Sequence, residues 1–317
     1  MLEIYFCNVG DGDAILLTER QPAQHDYTVL IDAGRPYVDL AEGSFRKEAI
    51  YYLQERGVRS IDRMILTHPH IDHIGGAARI LRKIPTKRLS MLFVPPEDAA
   101  WVAPSFKRTE KTQNGLKHLL NVMSDVAQAA RETGCVLETA KAGTELLTDR
   151  LEMATYLPHA DALARQLAVF VKLYAGGKVG EKLLYCVSKE RNQCSLMHRF
   201  TYAGRSVLLT GDRYGYDWED LSLPPCDVLK LPHHGDVKSM TPTLIERLHP
   251  GIAIVSCQND AEPKKDRPNA DVLAFVQKAV PTVLCTENRA LPSMPAATHN
   301  GISITITDDG SIDCRTD

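Results

Sequence analysis

The sequence predicts a layered α/β (α+β) protein, with strands inside and helices outside. Three observations predict it. Short apolar segments with strand spacing alternate with amphipathic helical segments along most of the chain. The stretch Thr67-His68-Pro69-His70-Ile71-Asp72-His73-Ile74-Gly75-Gly76 packs four metal-ligand side chains into six positions directly after the apolar run Met64-Ile65-Leu66. It therefore reads as a loop at the end of a buried strand, where active sites of layered folds sit. Finally, 317 residues, 44% hydrophobic and 24% charged, are ample for a large core, here taken as one domain over 1–317.

In chain order, residues 1–17 read as two strands around the turn Asn8-Val9-Gly10-Asp11-Gly12-Asp13, the first with Leu2, Ile4 and Phe6 in alternation. Thr28-Val29-Leu30-Ile31 is a third strand, ending at Asp32-Ala33-Gly34. A helix over 46–56 presents Ala49, Ile50 and Leu53 on one face and stops at Gly57. Strand 63–67 delivers the histidine cluster, and the next helix carries Ile74, Ala77, Ala78 and Leu81 at helical spacing. Pro95-Pro96 ends a further strand. Residues 95–190 differ in character. A long helix over 112–133 has Leu116, Leu119, Leu120, Met123, Val126 and Ala130 on one stripe, and a second over 161–175 ends at Gly176-Gly177. This segment reads either as a helical insertion that caps the site or docks a protein partner, or as the helical layer of the same domain. Strand signals then return. Residues 206–210 run into Gly211-Asp212, and 227–231 run into Pro232-His233-His234-Gly235. A helix with Thr241 as N-cap and Pro242 at its first position follows, then strand 252–256, helix 270–279 capped by Asn269, and a hairpin at Asp308-Asp309-Gly310.

The formal net charge of -3 and pI near 6.4 give no overall basic character that advertises nucleic acid, although a local basic groove remains compatible. Arg79, Arg82, Lys83, Lys87 and Arg88, followed by Lys107, Arg108, Lys111 and Lys117, form either such a groove or a solvated helix face. Aromatic residues do not interleave with them. The first residues lack a signal-peptide pattern, and no apolar run reaches the ~18 residues of a membrane span. Eight cysteines without a C-x-x-C pair read as reduced thiols of a cytoplasmic protein.

The chemistry concentrates around the cluster. In an extended loop His68 and His70 share one side and grip one metal. Asp72 and His73, in the turn that follows, point to a neighbouring position suited to a second metal. Asp212, at a strand end after a glycine, is a candidate bridging carboxylate. His233 or His234 completes the set, with His233 favoured as ligand and His234 as a catalytic or substrate-binding group. Asp13 and Asp32 read as supports that orient the histidine loop, or as turn-forming aspartates. Imidazole and carboxylate donors suit two divalent ions, zinc first and manganese as alternative.

The T-H-x-H-x-D-H-x-G-G motif resembles the metallo-β-lactamase superfamily. Phe6-Cys7-Asn8-Val9-Gly10-Asp11-Gly12-Asp13, Leu30-Ile31-Asp32-Ala33-Gly34, Asn192-Gln193-Cys194-Ser195-Leu196, Leu208-Leu209-Thr210-Gly211-Asp212 and the run 227–235 resemble its ComEC-like branch, which includes stand-alone relatives. The resemblance covers roughly 1–93 and 192–317, the last stretch weakly. It implies an αββα sandwich of two mostly antiparallel sheets, metal sites in a cleft at one edge, and Asp212 as the bridge. Asn192 stands near the place where many members supply a third histidine to the first site, with His198 and His159 as substitutes. Asp236 replaces a frequent serine, and Arg267-Pro268 a His-Pro pair. Asp236 would repel a polyanion or reach a metal, whereas Arg267 would pair with a phosphate. His299 reads as a turn residue. The implied function is hydrolysis by a dinuclear-metal-activated water, with phosphodiesters of DNA or RNA as the leading substrate. The alternatives are a small phosphodiester, lactone or thioester, or a metal-binding partner subunit with little turnover.

Overall fold

A computed structural model describes residues 1–22, 25–38, 44–99, 101–103, 111–258, 267–288 and 296–317. Lys107 and Arg108 lie outside the described residues, and Lys111 is described only as part of a helix backbone.

One sheet has eight strands: β1 (Leu2–Cys7), β2 (Ile15–Glu19), β3 (Tyr27–Ile31), β4 (Ile61–Leu66), β5 (Thr86–Met91), β6 (Val136–Thr139), β16 (Gly301–Ile306) and β17 (Ile312–Thr316), in the order β17-β16-β1-β2-β3-β4-β5-β6. The other has seven: β7 (Gly143–Leu146), β8 (Leu151–Tyr156), β9 (Met197–Tyr202), β10 (Arg205–Leu209), β11 (Val228–Lys230), β12 (Ile252–Val255) and β13 (Thr282–Cys285), in the order β13-β12-β11-β10-β9-β8-β7. A short ladder, β14 (Glu287–Asn288) with β15 (Ala297–Thr298), stands apart. The helices are α1 (Ala49–Glu55), α2 (Ile71–Ile74), α3 (Ala77–Lys83), α4 (Lys111–Glu132), α5 (Ala160–Tyr174), α6 (Glu181–Lys189), α7 (Pro242–Leu248) and α8 (Ala270–Ala279).

The layering is αββα. Leu2, Ile4, Phe6, Val29 and Ile65 from the first sheet meet Met153, Phe200, Val207 and Ile254 from the second in one apolar cluster between the sheets. The opposite face of β1, carrying Tyr5 and Cys7, packs under α1, α3, α4, α5 and α6 in a second cluster. A third joins Leu208, Leu229 and Ala253 to Leu244, Leu248, Val272 and Val276 of α7 and α8. β1 and β4 are covered on both faces, so apolar residues dominate them, with Glu3, Asp62 and Arg63 as the exceptions. The caps read from sequence are present: Thr241 Oγ1 accepts from Leu244 N, and Asn269 Oδ1 accepts from the amides of Asp271 and Val272.

Three expectations need correction. The sheets are mixed rather than mostly antiparallel: β3 to β6 and β10 to β13 run parallel. Residues 95–190 are not only helical. They supply β6 to the edge of the first sheet, and β7 and β8 to the second, so the chain crosses from one sheet to the other inside this segment. Its helices α4, α5 and α6 form the layer over the first sheet. Finally, the strand expected to end at Pro95-Pro96 ends at Met91.

The parallel runs place the site. Parallel strands present their carboxyl ends on one side, and ligands gather there in open α/β sheets. Asp32 follows β3, the histidine loop follows β4, Asp212 follows β10, and His233 and His234 follow β11.

Candidate metal centre

Asp212 sits at the middle. Its Oδ2 lies 3.2 Å from His73 Nε2, 3.6 Å from both His68 Nε2 and His234 Nε2, and 3.9 Å from His233 Nε2. Two donor triads meet there. His68, His70 and Asp212 each bring a ligand atom within 4.8 Å of the others, and so do Asp72, His73 and His234. A third grouping, Asp13, His73 and Asp212, overlaps both. The geometry therefore puts His234, and not the favoured His233, with Asp72 and His73. The reason is local: His233 and His234 both take left-handed backbone angles (φ 48° and 57°), and this turn sends the two rings to different neighbours.

The donor set fits divalent cations. His73 Nε2, His234 Nε2, Asp212 Oδ1 and Asn192 Oδ1 are buried without a hydrogen-bond partner, a rare condition for polar atoms unless something polar or ionic is bound. Burial, reinforced by neighbouring imidazoles, holds His68 well below its ordinary pKa; burial, with Arg191 and other cationic neighbours, does the same to His70. Burial also lowers His234 against the pull of Asp212. These imidazoles are thus neutral, the form that ligates metal. His73 goes the other way: burial opposes its charge, but Asp212 and Asp32 raise it well above 6.5. Asp212 is held well below the usual carboxylate range, since His73 and His234 outweigh burial. Burial raises both Asp72 and Asp13, the latter in spite of Lys230.

Four of the candidate ligands, His73, His234, Asp212 and Asp72, are held from behind. Asp32, with left-handed φ 58°, accepts from Thr67 N at 2.8 Å, from Thr67 Oγ1 at 2.7 Å and from His73 Nδ1 at 2.7 Å, which directs His73 Nε2 inward. Buried Lys230 bonds Asp13 and also donates to Gly211 O at 3.2 Å, tying the first strand turn to the Asp212 loop. His234 Nδ1 faces Ser256 O at 3.0 Å, and Ser195 Oγ accepts from Asp212 N at 3.2 Å. Asp13 N donates to Asp72 O. That approach requires Gly12, because a Cβ there would stand 2.3 Å from Asp72 O.

Around the rim, Asn192 donates through Nδ2 to Tyr214 Oη at 3.1 Å and lies 2.8 Å from His233 Nε2. Arg267 bonds His233 and reaches Asp236 at 3.4 Å and Asp11 at 3.5 Å. Asp236 belongs to neither donor triad. It stands 3.7 Å from His233 Nδ1 and is held below its ordinary pKa, with bonds to His233 and Lys238 N overcoming burial. Its carboxylate stands against His233 and Arg267. His198 is excluded as a substitute ligand: it sits between the sheets, 3.2 Å from Thr155 Oγ1. His159 is exposed, near Asp220, and His299 belongs to the loop that packs its carbonyl on Asn8.

Sequence reasoning missed Arg35, Arg191, Tyr214 and Lys230. Arg35 approaches Asp72 Oδ2 at 3.9 Å and Asp11 Oδ2 at 3.4 Å. Arg191 is half-buried, bonds Ser188 O at 2.9 Å, and is pulled down to about 10 by desolvation against the field of Asp72. Only Lys230 left a signal, a lysine inside an apolar strand. The basic run is different: Arg79 pairs with Glu48, Arg82 with Asp125 and Glu132, Lys87 with Asp62, and Arg88 with Glu138. These charges are answered locally and form a solvated face.

Among known proteins, the chain is 27% identical over 299 residues to ComE operon protein 3 of Bacillus subtilis (strain 168), covering 90% of this chain but 32% of that relative's length. It is similar in structure to the metallo-β-lactamase fold protein YhfI from Bacillus subtilis (11% identity, 90% of this chain and 95% of that one, TM-score 0.47). It is also similar to Zn(2+)-bound PqqB from Methylobacterium extorquens (10% identity, 90% and 98%, TM-score 0.43) and to CmlA, a diiron β-hydroxylase from Streptomyces venezuelae (14% identity, 89% and 53%, TM-score 0.45). The family model for the metallo-β-lactamase superfamily matches residues 8–258, which include every member of both donor triads. The chain therefore belongs to the metallo-β-lactamase superfamily.

Proposed function

We propose that this protein is a dinuclear-metal phosphodiesterase acting on DNA or RNA. The observation that carries the reading is the pair of donor triads meeting at Asp212 with the guanidinium groups of Arg35 and Arg267 beside them. His68, His70 and Asp212 would hold one divalent ion; Asp72, His73, His234 and Asp212 would hold the other. Zinc suits these donors, with manganese as the alternative. Two such ions supply a water activated near neutral pH and neutralise charge on a phosphoryl group. The chain's own residues do the rest. Asp32 and Ser256 fix the imidazole orientations, Arg35 and Arg267 meet phosphate oxygens, and Asn192 holds His233 at the rim. The motif order that resembles the ComEC-like branch supports nucleic acid as substrate. A reducing, cytoplasmic setting belongs to the same reading, because all eight cysteines are free thiols, six of them buried. No helix among the described residues is long and apolar enough to cross a membrane. A protein partner for the outer faces of α5 and α6 is a further part of the proposal, since Val171, Leu183 and Tyr185 are exposed there.

The test is metal analysis of the purified protein, with incubation on linear, circular and single-stranded nucleic acids, cyclic dinucleotides and bis-p-nitrophenyl phosphate. The expected result is cleavage that EDTA abolishes, that zinc or manganese restores, and that His70→Ala and Asp72→Ala lose. Cleavage unchanged in those variants overturns the metal assignment. Tight metal binding without turnover on any ester supports a metal-binding subunit instead.

A further inference from the structure

Beside the donor triads stands an aromatic ledge that the metal chemistry does not use. Tyr214 follows Asp212 by two residues. Its ring packs edge-on against His233 with centroids 5.2 Å apart, and its hydroxyl accepts from Asn192. The Tyr216 ring lies 5.6 Å beyond at 37°, and Tyr216 is half exposed. Tyr216 packs on Tyr214 and leaves half of its surface in water on the side of His233 and the donor triads, where an aromatic face can take a ligand.

The ledge is rigid. Tyr216 lies within the short 3-10 turn Gly215–Asp217, whose amide Gly215 N donates to Lys238 O at 2.9 Å. Trp218 follows, fully buried in the cluster under α7 and α8. A Cβ on Gly215 would stand 3.2 Å from the Met240 backbone, so the turn sits tightly against its neighbour. The ledge is also flanked by cations. Lys238 Nζ lies 5.5 Å from the Tyr214 ring centre, and Arg267 bonds His233, the ring against which Tyr214 packs. Flat π-faces with basic groups beside them are what single-stranded nucleic acid binding uses, because bases stack on the rings while lysine and arginine meet the backbone.

We infer that Tyr216, backed by Tyr214, stacks a nucleobase next to the phosphodiester held at the metal centre, so that the substrate is a strand with an unpaired base at that position. This rests on the phosphodiesterase reading above and narrows it from phosphodiesters in general to single-stranded or splayed nucleic acid.

The experiment uses the metal-loaded protein and two probes of equal length and charge: a single-stranded oligonucleotide, and the same strand with abasic sugars. Affinity is read by fluorescence anisotropy and cleavage by gel. The wild type is expected to prefer the base-containing strand about tenfold in affinity, the order of one stacked base. Tyr216→Ala should remove that preference, and Tyr216→Trp should keep it. A fold that fails in Tyr216→Ala would show in circular dichroism, and Tyr216→Trp then carries the test alone through an indole emission quenched by the base-containing strand only. Equal affinity of the wild type for both strands overturns the inference, as does a preference that survives in well-folded Tyr216→Ala. The two readings separate. Cleavage of both strands alike leaves the phosphodiesterase standing without the ledge, whereas base-selective binding without any cleavage keeps the ledge and removes the phosphodiesterase.

Discussion

Asp32→Asn tests the centre without emptying it. Asp32 accepts three hydrogen bonds, from Thr67 N, Thr67 Oγ1 and His73 Nδ1, from a left-handed backbone position that asparagine tolerates well. In the variant the amide oxygen keeps the Thr67 N bond. The NH2 group then faces Thr67 Oγ1 and His73 Nδ1, where it can only donate. His73 Nδ1 becomes an acceptor, and the ring hydrogen moves to Nε2, the atom aimed at Asp212 and the second triad. The opposite amide flip would restore His73 but set NH2 against the Thr67 amide, leaving a buried donor unpaired. Loss of one charge-assisted bond costs about 2 kcal/mol of folding stability, a few degrees in a chain of this size. The metal effect is larger in kind: a wrong tautomer behind a ligand weakens binding about 10- to 100-fold. Chelator-competition titration with zinc should show the second equivalent weakened by that factor while the first, on His68 and His70, changes little. Two equivalents bound with wild-type affinity would refute the tautomer argument.

The supports carry further expectations. Gly12→Ala drives a Cβ into Asp72 O and should cost about 1–3 kcal/mol in a denaturant melt, with loss of metal at the second triad before the first. Lys230→Met strands the buried Asp13 carboxyl and should cost about 3–5 kcal/mol, whereas Lys230→Met with Asp13→Asn should cost clearly less; a double-mutant cycle without coupling would contradict the pairing. Chelation of the purified protein should lower its melting temperature, and added zinc or manganese should raise it again, the stability gained being about 2.7 kcal/mol per site at a hundredfold excess over Kd.

What the sequence made legible was what repeats in one dimension. Helix and strand periods are local, so α4 with Leu116, Leu120 and Val126 buried, and β1 with its alternating Leu2, Ile4 and Phe6, were readable, as were the Thr241 and Asn269 caps. The His68-to-His73 run is equally local: an extended H-x-H places two rings on one side in any fold. The choice between His233 and His234 was not readable, because it depends on two consecutive left-handed residues, a conformation uncommon outside glycine. Nor was the path of residues 95–190. Strand β7 is exposed at all four positions, so it carries no apolar alternation, and only pairing with β8 defines it. Part of the rim was hidden for a third reason. Arg35 and Arg191, 156 residues apart, carry no local signal, and only the fold brings Arg35 within 3.9 Å of Asp72, whereas Arg267 was readable from its place in the motif order. A basic run is conspicuous in sequence, yet here each of its arginines meets a neighbouring acid. Arg35 and Arg267 meet acids as well, Asp11, Asp72 and Asp236, and what distinguishes them is that these acids stand at the donor triads, where a guanidinium can also meet a phosphate oxygen.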